Sequence, residues 1–308
     1  MIKIKEFKIN KTVLLISILR KYNEYLKSKE NKDYECSERY KRAEHLSDRV
    51  NEVFKSNPKC ARLLREVCDD FTNNPDRYKE FLNIPDMIGL LDSVFASEEF
   101  SNLYKETQEY REDLMKRCLK FEPDIRRYFS ENLGIEAEKE IIVNVAHPDF
   151  NTGTNNMKNE IFLGHYKAKN SPSYDVVYMM HEIMHCMFPY QSNWNKKQIA
   201  ICHSLIELAT DNELKSLLEG NIQNYSQGHE DANLQRNKLL PLWCAFLGKS
   251  EDEIKDLRNI KGADFSNYSE LLKSETISKI NFSNLMEHCV KNYRYYGVSY
   301  KEKEEVEF

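Results

Sequence analysis

Residues 176–188 read VVYMMHEIMHCMF, a stretch in which only His181, Glu182 and His185 can carry charge. No Gly or Pro interrupts it and Pro189 follows at once. The pattern predicts a helix that is apolar nearly all round, and such a helix is buried. A buried helix rarely carries two imidazoles and a carboxylate without partners, because an unpaired charge away from water is costly. Any fold this chain adopts must therefore satisfy a polar group on a core helix. The two histidines are four residues apart, so they project from one face about 6 Å apart along the axis.

The rest of the chain points to a mainly helical setting. Gly (9) and Pro (8) stand at about half of average usage, which leaves few turns and favours long helices. With 41% hydrophobic and 31% charged residues, the 308-residue chain reads as globular rather than disordered, and it is long enough for one large domain or two ordinary ones. A net charge of -5, with basic and acidic residues interleaved, argues against nucleic acid as a partner. The eight cysteines form no C-x-x-C pair and no tight framework, so they read as buried thiols in a reducing compartment. Thr12–Leu19 (TVLLISIL) superficially imitates a signal peptide, but Arg20, Lys21 and Tyr22 follow with no small-residue cleavage site. It reads as a core helix, no run approaches the roughly 20 residues of a membrane span, and a cytoplasmic location is expected.

Along the chain, MIKIKEFKIN alternates like a short strand and runs into a helix from Thr12 to about Lys27. KSKENKDYE reads as an exposed connection, and 39–130 as several helices punctuated at Asn57-Pro58, Asn74-Pro75 and Ile84-Pro85. Glu140–Ala146 and Asn159–Tyr166 read as strands, with a loop, HPDFNTGTNNMK, between them. Ser171-Pro172 signals the start of the 172–188 helix. A second helix is expected from Asn195 to Leu218 with Gly220 beyond its end, then a helical remainder from about Asn221 and a charged tail, KEKEEVEF. The expected fold is α+β and predominantly helical, a small sheet packed on the 172–188 helix. The division expected is a helical region over 1–135 and a sheet-containing region with a helical C-terminal part over 136–308.

The chemistry of the His pair suits a metal. Zinc binds imidazole nitrogen, and a catalytic site takes three protein ligands with water in the fourth position. Glu182 lies about 100° round the helix from His181, so it is placed to reach that water rather than to join the pair as a ligand. Zinc lowers the pKa of such water to about 7, and a carboxylate can then take its proton during attack on a carbonyl. A His pair that merely satisfies core hydrogen bonds is the alternative. In the next helix His203, Glu207 and Asp211 recur every four residues as a polar stripe hemmed by Leu205, Ile206, Leu208 and Ala209. A third ligand is sought there, with Glu207, Asp211 and His203 as candidates.

The set His181, Glu182 and His185 followed by Glu207 and Asp211 resembles the H-E-x-x-H … E-x-x-x-D signature of gluzincin metallopeptidases, the thermolysin-like and aminopeptidase group. The resemblance covers roughly residues 140 to 220. It implies a zincin-like arrangement of active-site helix and glutamate helix, with Glu207 as third zinc ligand and Asp211 as a carboxylate orienting a ligand histidine. The metzincin pattern fails, since Phe188 and Gln191 occupy its Gly and third His positions. The family also places an edge strand before the active-site helix, and NEIFLGHY stands at the corresponding point. An oxyanion donor is implied from the C-terminal region, with His288 and Tyr293, Arg294, Tyr295 and Tyr296 as candidates; His229 lies closer to Glu207 than the pattern leads one to expect. Cys186 reads as a core thiol, and His147 and His165 as surface or core residues. The function expected is zinc-dependent hydrolysis of a peptide or protein substrate with Glu182 as general base. The competing expectations are a binding or regulatory protein that keeps the zinc fold without turnover, and an effector protease acting on one protein.

Overall fold

Asn10 fixes how the chain begins. Its side-chain Oδ1 accepts from the N–H groups of Thr12 and Val13 at 3.0 and 3.3 Å, capping a helix directly after a strand. In the computed structural model, which describes residues 2–29, 38–136, 138–150, 152–165, 171, 173–220, 229, 232–274, 277 and 279–298, that strand is β1 (Ile2–Lys8) and the helix α1 (Lys11–Lys29). Val13, Leu14, Leu15, Ile16 and Ile18 are fully buried, each side chain contributing about 1.5–3 kcal/mol relative to exposure. TVLLISIL is thus a core helix. Among the described residues no helix is long and apolar enough to cross a membrane.

The fold is a predominantly helical α+β one with a small mixed sheet. Among the described residues the chain divides into two compact units, interleaved in sequence. The sheet unit comprises Ile2–Lys120 and Lys139–Cys186, and the helical unit Phe121–Glu138 and the chain from Met187 onward. β1 and the N-terminal helices thus lie in the unit that holds the sheet. Pairing explains this: β1 runs parallel to β2 (Lys139–Val145), Ile4 opposite Ile141, across a long stretch of sequence.

In the sheet unit, α2 (Glu38–Phe54), α3 (Pro58–Asp70), α4 (Arg77–Phe81), α5 (Pro85–Phe95) and the first part of α6 (Glu98–Arg127) follow α1. The Asn57-Pro58 and Ile84-Pro85 breaks fall where expected; Asn57 caps α3 by accepting from Cys60 N–H, and Pro58 and Pro85 open their helices. Sheet order is β1-β2-β4-β3, with β4 at Glu160–Gly164 and β3 at Thr152–Asn155. β2 pairs β4 in parallel and β3 pairs β4 antiparallel.

Two expectations are corrected by this topology. The segment expected to be a loop contains a strand, β3, and the strand expected at the edge, β4, lies inside the sheet between β2 and β3. The β3 sequence, TGTN, lacks the apolar alternation that marks a half-buried strand, so its turn-forming composition conceals it. The core of this unit is built from α1 to α6 together with Phe150 and Phe162.

In the helical unit, α8 (Lys196–Glu207) is opened by a capping box in which Asn195 and Gln198 satisfy each other's backbone N–H. The expected Asn195–Leu218 helix is present but changes character midway. Leu208–Leu214 forms π-helical turns before α9 (Lys215–Glu219), and Gly220 closes it at φ 66°. The wider turn is held by side chains: Thr210 Oγ1, Asn212 Nδ2 and Tyr128 Oη donate to the carbonyls of Ile206, Glu207 and Ala209 at 2.8 Å each. Against α8 pack α10 (Asn233–Phe246) and the helix Phe282–Lys291, with Trp243, Phe282 and Phe188 in contact edge to face. KSKENKDYE beyond Lys29, Tyr166, Pro172, the start at Asn221 and the KEKEEVEF tail lie outside the described residues.

Candidate functional site

The expected buried helix is α7 (Tyr174–Met187), every residue from Asp175 to Cys186 buried except the half-buried Tyr178. Asp175 stands in its first turn, where a negative charge meets the positive end of the helix dipole, and pairs with Arg117 of α6 at 2.7 Å. The helix is anchored to three strands. Tyr178 lies against β3 at Gly153, where an added Cβ would sit 2.2 Å from its ring. Cys186 Sγ donates to the Glu160 carbonyl of β4 at 3.8 Å, and Lys139 of β2 donates to the Cys186 carbonyl. Burial pushes the Cys186 thiol up to about 12, which makes it the core thiol expected.

His181 and His185 are 2% and 4% exposed, with their Nε2 atoms 3.1 Å apart. The Tyr178 ring stacks on His181 at 5.9 Å and tilts onto His165 at 4.5 Å, so the first histidine is held by packing. Two nitrogens bound to one zinc at about 2.0–2.1 Å in tetrahedral geometry are about 3.3 Å apart. The observed separation matches, and the donors are the imidazole type that zinc prefers. These residues therefore fit a zinc ion. Glu182, 5% exposed, points its Oε2 at Asn155, whose Nδ2 donates at 2.7 Å from the end of β3.

Glu207 ends α8 in the helical unit and is completely buried. Arg236 Nη1 of α10 donates to Oε2 at 2.5 Å. His229 approaches Oε1 twice, through its backbone N–H and its Nδ1, both at 2.8 Å. His203, one turn earlier, brings Nε2 to 3.4 Å from Oε1 while its Nδ1 meets the Tyr190 hydroxyl at 3.2 Å. Burial alone would raise this carboxyl, but the hydrogen bonds from His203 and His229 and the charge of His203 outweigh it and hold Glu207 well below the usual carboxylate range. His203, Glu207 and His229 each offer a ligand atom within 4.8 Å of the others, a donor set of metal-binding type that Arg236 already neutralises in part.

The remaining candidates have local partners. Asp211 lies in the π-helical turn and accepts from the Thr210 hydroxyl at 3.0 Å. His288 Nε2 is 3.1 Å from the Tyr296 hydroxyl, and Tyr295 is 74% exposed. His147 is buried in the sheet unit, 3.0 Å from Glu106, with Arg42 bridging Glu106 and Asp149.

Sequence reasoning did not single out Asn155, Arg236, Tyr178 or Arg117. Asn155 sits in NTGTNN, a run that signals turns, and Arg236 in NLQRNK, the polar start of α10. Flanked by Gln235, Asn237 and Lys238, Arg236 carries no sequence signal of a buried partner. No protein-family model, curated protein or solved structure matches the chain.

Proposed function

We propose that this chain is a zinc-dependent peptidase in which His181 and His185 hold the metal and Glu182 is the general base. The observation that carries the reading is the buried His pair on α7, Nε2 atoms 3.1 Å apart, beside a buried carboxylate held by a neutral amide. When bound, zinc would supply Lewis acidity toward a carbonyl and toward water. Each residue then has a defined task. His181 and His185 offer Nε2, and Tyr178 keeps the His181 ring from turning. Glu182, its Oε2 anchored by Asn155, uses Oε1 to take a proton from the attacking water and pass it to the leaving amine. Burial of all three side chains keeps bulk water from competing for those protons.

The resemblance assigns the third ligand to Glu207, with His203 as the competing residue and Asp211 as an orienting carboxylate. Zinc titration of Glu207→Gln and His203→Ala separates the first two assignments, because loss of the ligand weakens binding and loss of a neighbour does not. The reading itself is tested by Glu182→Gln in the full chain, assayed on a mixed peptide library with zinc content measured in parallel. Loss of hydrolysis with zinc retained supports it. Unchanged hydrolysis, or no hydrolysis by the wild-type zinc-loaded protein, overturns it.

A further inference from the structure

The carboxamide of Asn155 is the group of interest, because both of its ends are committed. Nδ2 donates to Glu182 Oε2 at 2.7 Å, and Oδ1 accepts from the Met157 N–H at 2.9 Å. A flipped amide would aim its oxygen at a carboxylate and its NH2 at an N–H donor, so this network permits one orientation. The turn that presents Asn155 is fixed just as firmly. Met157 takes a φ of 56°, a conformation disfavoured for a residue with a Cβ, and the Asn155 acceptor helps hold it there. Asn156 Oδ1 then accepts from the N–H groups of Lys158, Asn159 and Glu160 at 3.0, 3.1 and 3.0 Å. Its Nδ2 donates to Asp76 at 3.2 Å. On the other side, Asn155 pairs with Ile161 in the sheet. The donor cannot swing away without dismantling the β3–β4 turn.

We propose that Asn155 is a positioning residue for the general base: the β3–β4 turn exists to hold one amide N–H against Glu182 Oε2 so that Oε1 is presented for proton transfer. This role rests on the peptidase reading above. It goes beyond it in assigning to the edge strand a duty toward the catalytic carboxylate. A purely structural Asn155 would need only its Oδ1, which makes the turn, and the two roles can be separated by substitution.

Asn155→Asp keeps Oδ1 for Met157 but replaces the donor with a like charge facing Glu182, whereas Asn155→Ala removes both ends. In Asn155→Asp, kcat should fall about 10- to 100-fold with KM unchanged. In the metal-free protein the same variant should melt lower than wild type, and Asn155→Asp combined with Glu182→Gln should recover the loss, because the Gln amide then donates to the Asp. Additive melting shifts in this cycle overturn the contact, and a raised KM with unchanged kcat overturns the positioning role in favour of substrate binding. A wild-type protein that hydrolyses no peptide overturns the peptidase reading and this role with it, whatever the melting cycle shows. If Asn155→Asp does not fold, Asn155→Ser, which keeps a short acceptor for the turn, is measured in its place with the same expected loss of kcat.

Discussion

Glu182 and Glu207 are both buried glutamates on helices, yet their surroundings differ in kind. Glu207 is surrounded by charge-capable donors, Arg236, His229 and His203, with a backbone N–H as well. Glu182 receives one neutral amide, from Asn155. A carboxylate matched by a guanidinium is committed as an anion, and removing either partner leaves an uncompensated buried charge. The amide that meets Glu182 brings no such counter-charge. The comparison sets a buried carboxylate met by one neutral amide against one met by a guanidinium and two imidazoles.

The largest effect expected on this comparison is kinetic. Glu182→Gln should reduce peptide hydrolysis by about 10²- to 10⁴-fold while thermal unfolding stays near that of wild type, since Gln still offers an oxygen to Asn155. A large loss of stability in this variant would make Glu182 structural and erase the contrast. The mirror experiment is Glu207→Gln, which strands Arg236 and should cost about 3–5 kcal/mol, read as the change in urea midpoint. Combining Glu207→Gln with Arg236→Met should recover much of that loss. If the double variant is as unstable as either single one, the ion pair is not what Glu207 supplies.

A smaller effect sharpens the packing side. Gly153→Ala places a Cβ 2.2 Å from Tyr178 Cε1, so about 1–3 kcal/mol of destabilisation is expected, relieved by also changing Tyr178 to Leu. No change in urea midpoint would mean that the ring moves aside freely. The smallest effect is a pH dependence at His147. Burial lowers its pKa, a pull only partly opposed by Asp149 and Glu106, so the folded state prefers the neutral ring. The unfolded histidine takes up its proton near about 6.5, so stability should fall as pH drops below that value and level off once the folded-state pKa is passed. His147→Gln should remove that slope, which melting curves from pH 5 to 7.5 would show.

Local chemistry in the sequence located α1, α7, β2, β4 and the Asn57, Pro85 and Asn195 helix starts, because each carries its own period or cap. It also marked His181, Glu182 and His185 as polar groups on an apolar helix, and all three side chains are buried. What it missed is non-local. Asn155 meets Glu182 only because β3 folds back beside α7, and Arg236 meets Glu207 only because α10 packs on α8. Neither pairing leaves a periodic trace in the chain. The parallel β1–β2 pairing, which draws the N-terminal helices into the sheet unit, is of the same sort. The π-helical turn after Glu207 was hidden because its stabilising groups include Tyr128, far upstream.

Whether α7 carries a metal is decided by calorimetric titration of zinc into metal-free protein, wild type against the His181→Ala and His185→Ala variants. Wild type should bind one tight equivalent, and both variants should lose it with their far-ultraviolet circular dichroism unchanged. Wild-type protein that takes up no stoichiometric zinc, or variants that bind it as tightly as wild type, would contradict a metal site on α7.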